Sequence, residues 1–219
     1  MTDWSGLVER AAERYRDGEE RVGGIGDPDA RQRQLTRMAN AAYGAGLAAY
    51  AARDPSVAMA WLGRAAERYR ESWDDAPAGS WGRPIGAIKA RILGSDAPGA
   101  ARESEWALAE GAAEAESPIG RYVATLALLV LGRDEEARVL ADALRTADGF
   151  PHDVGDALAT IAAGDRVGYV EAIESVLESF ETRDEYLEDV PIADTVMVLQ
   201  TLAAVRDLEA DLRSPLLPF

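Results

Sequence analysis

Apolar and polar residues recur with the period of an α-helix through almost the whole chain. In residues 3–17 and again in 55–72, apolar positions return every three or four residues. The same pattern predicts further helices, which we place at 28–52, 85–93, 98–115, 118–131, 135–147, 153–163, 166–181 and 192–206. No stretch shows the sustained alternation of a strand bounded by turn residues. We therefore predict an all-α protein of about ten helices.

Short breaks rich in Gly, Asp and Pro divide these helices into pairs. The breaks fall at 53–55, 94–96, 132–134 and 164–166, so that they follow one another at 41, 38 and 32 residues. Helical-hairpin repeats have spacings in this range, and they stack as pairs around a continuous core. We expect stacked antiparallel helix pairs, with an irregular α bundle as the alternative. The most apolar helix, 118–131, should lie at the centre.

The length of 219 residues favours one domain. Within it we expect an N-terminal helix with a Gly-rich hinge at 1–26, a hairpin array at 27–206 and a C-terminal tail at 207–219. Asp27-Pro28 and Asp54-Pro55 predict helix starts, because aspartate caps the first turn and proline suits the first helical position.

Two hairpins carry small residues at positions that resemble the tetratricopeptide repeat. In the first, Gly46 and Tyr50 take helix-A positions, and three residues take helix-B positions, namely Ala58, Leu62 and Ala65. In a later hairpin the matching helix-B residues follow Gly132, namely Ala137, Ala141 and Leu144. The resemblance implies an α-α superhelix whose curved surface binds a protein or peptide.

A late segment is similar to all-α immunity proteins of bacterial toxin systems. Asp165, Tyr169 and Ala172 stand near the start of one helix, and an alanine-rich final helix follows. This resemblance implies a special case of the binding function, in which the protein holds a toxin by charge complementarity.

The chain is strongly acidic. Its 39 acids exceed 23 basic residues, of which only Lys89 is a lysine, and the net charge is −16. Such a surface suits a high-salt cytoplasm, which is the interpretation we favour over a GC-rich genome. It disfavours binding to nucleic acid, and it suits a basic partner. The chain has no cysteine, which excludes disulfides and thiolate chemistry.

We expect a cytoplasmic protein with no membrane association. The N-terminus shows neither the basic nor the apolar region of a signal peptide. The longest apolar run, 122–131, is well short of the ~20 residues that cross a bilayer. Whether the chain forms a homodimer stays open.

The longest irregular region, 73–84, is the first candidate binding site. Trp73 and Trp81 flank its loop, and Arg83 follows. Aromatic residues on loops are enriched at interfaces, although these two could instead fold back over the end of a helix pair. Tyr43 and Tyr50 on the long helix are further candidates.

The alternative function is that of an α-helical hydrolase with a carboxylate site. His152, the one histidine, and Asp153 could act as a general base and its neighbour, and Asp156 and Asp194 are the other candidate acids. Their alternative roles are helix capping or pairing with arginine. The acid-rich residues 181–194 form either a solvated helix end or a docking patch for a basic partner.

We predict no metal site and no cofactor. One histidine is too few for a polyhistidine metal site, and the acids of 181–194 lack the spacing of a calcium loop. The Gly-rich residues 23–26 have no strand before them and read as a hinge. The favoured function is a non-enzymatic scaffold that binds a protein or peptide.

Overall fold

The computed structural model describes residues 2–218, and within them every regular element is a helix. It contains two short 3-10 turns at Ala112–Glu114 and Leu187–Asp189 and no strand. The ten α-helices are α1 (Trp4–Val22), α2 (Pro28–Ala51), α3 (Pro55–Glu71), α4 (Gly82–Leu93), α5 (Ala97–Ala109), α6 (Pro118–Val130), α7 (Asp134–Leu144), α8 (His152–Ala163), α9 (Arg166–Glu181) and α10 (Asp194–Ala204). The predicted all-α fold with about ten helices is confirmed for these residues.

Short polar side chains fix several helix starts. Each accepts a hydrogen bond from the backbone N–H three residues later, as Asp27 does from Ala30 at 2.9 Å and Ser117 from Gly120 at 3.1 Å. The same cap begins α1, α3 and α9, at Asp3, Asp54 and Asp165. Proline occupies the first turn of α2, α3 and α6. These local contacts explain why the sequence predicted the starts closely.

Several helix boundaries differ from the prediction, among them the end of α7, which stops at Leu144 and not at 147. Helix α5 stops at Ala109, because Gly111 takes the left-handed conformation at φ 86° and only a 3-10 turn follows. Helix α1 runs past the apolar pattern of residues 3–17 and ends at Val22, directly before the Gly-rich residues 23–26. Helix α4 begins at Gly82, three residues before the predicted start at Ile85.

The chain divides into two compact units. Of the described residues, the first contains 2–96, together with Asp184–Ile192 and residues 217–218. The second contains Ala97–Arg183 and Ala193–Leu216. Segment Asp184–Ile192 therefore interrupts the second unit in sequence and belongs to the first. The prediction of a single domain stays a prediction.

In the first unit, α1 to α4 pack as consecutive neighbours. Gly46 of α2 lies close to the first turns of α3: a Cβ added at Gly46 would lie 2.6 Å from Leu62 Cγ and 3.2 Å from the Ala58 carbonyl oxygen. Glycine at this position lets the two helices approach. Nearby, the rings of Tyr43 and Tyr69 meet edge to face, with centroids 6.5 Å apart.

In the second unit, α5 to α9 again pack as consecutive neighbours, and α10 contacts α8 and α9. Leu126 and Leu129 of α6 are 0% and 2% exposed, which confirms the prediction that this helix is buried. Arg206 binds both the Asp134 carboxylate and the Leu129 carbonyl oxygen. It thereby joins the end of α6 to the beginning of α7.

Candidate binding site at the tryptophan loop

The loop between α3 and α4 is ordered by its own hydrogen bonds. The Ala76 N–H donates to the Trp73 carbonyl oxygen at 2.9 Å, and the Ser80 hydroxyl donates to the Pro77 carbonyl oxygen at 2.6 Å. Gly79 has φ 76°, a conformation that glycine adopts without a steric cost. The loop is thus a pair of consecutive turns, and it holds both flanking tryptophans in place.

Trp73 and Trp81 pack against each other. Their ring centroids are 5.4 Å apart and their planes are inclined by 38°, which is within the range of favourable aromatic pairs. Both residues are partly exposed. The pair therefore offers a partly exposed aromatic surface at one end of α3 and α4.

Arg83 lies two residues after Trp81, in the first turn of α4. Its Nη2 donates to the side-chain oxygen of Gln32, while its Nε is buried and meets no acceptor among residues 2–218. It forms no ion pair within that part of the chain. Burial lowers the pKa of Arg83, because a desolvated cation is destabilised when no anion compensates it.

The nearby carboxylates are bound by other arginines. Glu71 accepts from Arg31 and from Arg68, the latter at 2.6 Å, and the Asp75 carboxylate lies 3.8 Å from Arg31. Gln32 is itself buried and donates to the Asp29 carboxylate at 2.9 Å. Arg83 is therefore left with a neutral amide oxygen in a chain that carries 39 acids.

The two tyrosines proposed as contact residues do not present a free surface. Tyr43 is 1% exposed and packs in the core of the first unit, which removes it from the candidates. It was misplaced because every residue from 41 to 49 of α2 is buried, so the helix has no solvent face there. Tyr50 is half-buried and its hydroxyl donates to the Leu93 carbonyl oxygen; burial raises the pKa of Tyr50.

The residues of the hydrolase alternative lie in the second unit, at positions that water reaches. His152 is exposed, and Asp153, Asp156 and Asp194 are each partly exposed. Asp156 accepts a hydrogen bond from Arg145 at 2.6 Å, which is the arginine pairing named as its alternative role. Asp194 is the first residue of α10. No group of three or more His, Asp or Glu residues in 2–218 is arranged to hold a metal ion.

One acid of the 181–194 stretch differs from the expected solvated helix end. The Glu188 side chain is 20% exposed and its carboxylate lies 2.8 Å from Arg14 of α1. Burial raises the pKa of Glu188, and Arg14 opposes that effect. The sequence did not predict the pair of Arg14 and Glu188 or the hydrogen bond between Arg83 and Gln32. In each case the two residues are far apart in the chain, and helical period and local spacing relate only near neighbours.

Comparison of the chain with models of protein families, with curated proteins and with solved structures finds no match. The tetratricopeptide-like and immunity-protein resemblances stay predictions. Within residues 2–218, no helix combines the length and the apolar character that crossing a bilayer requires.

Proposed function

We propose that this protein is a non-enzymatic helical scaffold that binds a protein or peptide through Trp73, Trp81 and Arg83. One observation carries the proposal: Arg83, whose buried Nε meets no acceptor within residues 2–218, follows by two positions one member of a partly exposed tryptophan pair. Tryptophan and arginine are the residue types that most often dominate binding energy at interfaces.

The chemistry of the site favours a ligand with two features. Arg83 would gain from a carboxylate or carbonyl oxygen, since charge-assisted hydrogen bonds are about twice as strong as neutral ones. The tryptophan pair would take an aromatic or aliphatic side chain next to that acceptor. Basic residues further along the ligand would suit the acidic surface, which has a net charge of −16.

A displayed library of random dodecapeptides is the direct test. We expect the selected peptides to share an acidic residue next to an aromatic or aliphatic one. Changing Trp81→Ala or Arg83→Ala should weaken their binding by 2 kcal/mol or more, about thirtyfold. Arg21→Ala is the matched control, because Arg21 is an exposed arginine of the same unit that pairs with Asp17.

The stability of Trp81→Ala separates a binding role from a structural one. An aromatic pair contributes about 0.5–1.5 kcal/mol beyond area burial, so a partly exposed member should cost less than the ~3 kcal/mol of a core aromatic. A loss of ~3 kcal/mol or more would assign the indole to the fold. Selected peptides that bind Trp81→Ala and Arg83→Ala as tightly as the unchanged protein would disprove the site.

A further inference from the structure

Segment Asp184–Ile192, which we call the inserted segment, lies between α9 and α10 of the second unit but packs in the first. Its 3-10 turn at Leu187–Asp189 contacts α2. Val190 and Ile192 are buried, whereas Leu187 is 45% exposed. The segment therefore buries the side chains of Val190 and Ile192 in the first unit and leaves that of Leu187 partly in solvent.

The contact centres on Gly44 of α2. A Cβ added at Gly44 would lie 2.8 Å from Glu188 Cβ and 3.7 Å from Val190 Cγ2, so any other residue would collide with the segment. On the adjacent helix, Arg14 holds the Glu188 carboxylate at 2.8 Å. The space above Gly44 is thus a shallow notch on α2, and the Arg14 guanidinium lies at its edge.

The backbone of the inserted segment is costly to hold in this shape. Glu188 and Asp189 are consecutive non-glycine residues in the left-handed region, at φ 56° and 60°, and each such residue costs about 1–2 kcal/mol. The backbone hydrogen bonds within the segment run from Asp189 to Tyr186, from Val190 to Leu187 and from Ile192 to Val190. The side chains of Glu188 and Val190 attach it to α1 and α2.

We propose that Gly44 and Arg14 form a second peptide-binding notch, for a turn in which an acid is followed two residues later by an aliphatic residue. The inserted segment occupies this notch as an internal ligand. A partner segment with the same pattern displaces it, because it makes the same ion pair and buries the same aliphatic group. This site is separate from the tryptophan loop, and each can fail without the other.

The ligand chemistry follows from the two groups on the helices. Arg14 requires a carboxylate, since a guanidinium pairs with one by charge-assisted hydrogen bonds. The space above Gly44 takes the Cβ and Cγ of that same acid together with a branched aliphatic group. An internal ligand has an effective concentration of about millimolar, so it masks the notch from weak external peptides.

The experiment uses a fluorescein-labelled synthetic peptide of residues 184–192, measured by fluorescence anisotropy. We expect weak binding to the unchanged protein and at least about tenfold tighter binding to the variant Glu188→Ala/Val190→Ala. We call it the detached variant, because it lacks the two side chains that attach the segment to α1 and α2. Adding Arg14→Ala to that variant should reverse the gain. Trp81→Ala should leave it unchanged, which separates this site from the tryptophan loop.

A second measurement needs no variant and so does not depend on the folding of one. With excess unlabelled peptide, amide hydrogen exchange of the unchanged protein should become faster in residues 184–190, where the displaced segment loses protection. A peptide in which the position of Glu188 carries alanine is the control and should have no effect. The proposal is overturned if exchange does not change, or if the detached variant binds no more tightly than the unchanged protein.

Discussion

Replacing Gly46 with alanine tests the packing of α2 against α3. The added Cβ would lie 2.6 Å from Leu62 Cγ and 3.2 Å from the Ala58 carbonyl oxygen. Because the second atom belongs to the backbone, a new Leu62 rotamer does not make enough room, and the helices must separate. Overpacking of this kind costs about 1–3 kcal/mol, while alanine inside a helix recovers about 1 kcal/mol. We expect a net loss of about 1 kcal/mol.

Gly63 of α3 provides the matched control. The heavy atom nearest to a Cβ added there is Arg91 Nη1, at 4.0 Å, so Gly63→Ala keeps the helix preference and meets no clash. It should raise the free energy of unfolding by about 0.5–1 kcal/mol. The two substitutions are chemically identical, and their difference of about 2 kcal/mol therefore isolates the contact between the helices.

Urea unfolding followed by tryptophan fluorescence is the suitable assay, because four of the five tryptophans precede residue 97. The shift in midpoint gives the change in free energy when the slope is unchanged. In a Leu62→Ala background the cost of Gly46→Ala should become smaller, since the two side chains compete for one space. Equal shifts for Gly46→Ala and Gly63→Ala, or an unchanged cost in that background, would refute the reasoning.

Three further predictions concern charge. If the acidic surface is an adaptation to high salt, thermal melts should show Tm rising up to about 2 M KCl. Screening alone is nearly complete at ~1 M, where the Debye length is about 3 Å, so it does not explain a further rise. A flat Tm would favour a GC-rich mesophile. Arg206→Ala should lower the free energy of unfolding by about 2 kcal/mol, because the Arg206 side chain is only 13% exposed and binds Asp134. Arg213→Ala is the control and should change that free energy by less than ~0.5 kcal/mol, because the Arg213 side chain is 89% exposed. Chemical unfolding that shows similar effects for the two variants would contradict this. Burial raises the pKa of Glu188 above its value in the unfolded chain, so the folded state binds the proton more tightly. Protonation of Glu188 therefore stabilises the fold increasingly as the pH falls from the folded pKa toward the unfolded pKa. The unchanged protein should thus gain stability relative to Glu188→Gln between pH 7 and about 4, and a constant difference would reject the assignment.

The sequence by itself determined the helices and most of their starts. Capping is a contact over three residues, so Asp27, Asp54 and Ser117 could be recognised from their neighbours alone. The apolar character of α6 likewise predicted its burial, because a helix without a polar face must be surrounded by others.

Tertiary structure decided the partners of individual side chains. Helical period did not show that α2 is buried on all sides at residues 41–49, which is why Tyr43 was taken for a surface residue. The pairing of Arg83 with Gln32 and of Arg14 with Glu188 depends on which distant parts of the chain the packing brings together. Ion pairs form only when two charged groups lie within a few ångströms, and packing alone brings groups from distant parts of the chain that close. No local sequence pattern therefore predicts which arginine pairs with which acid.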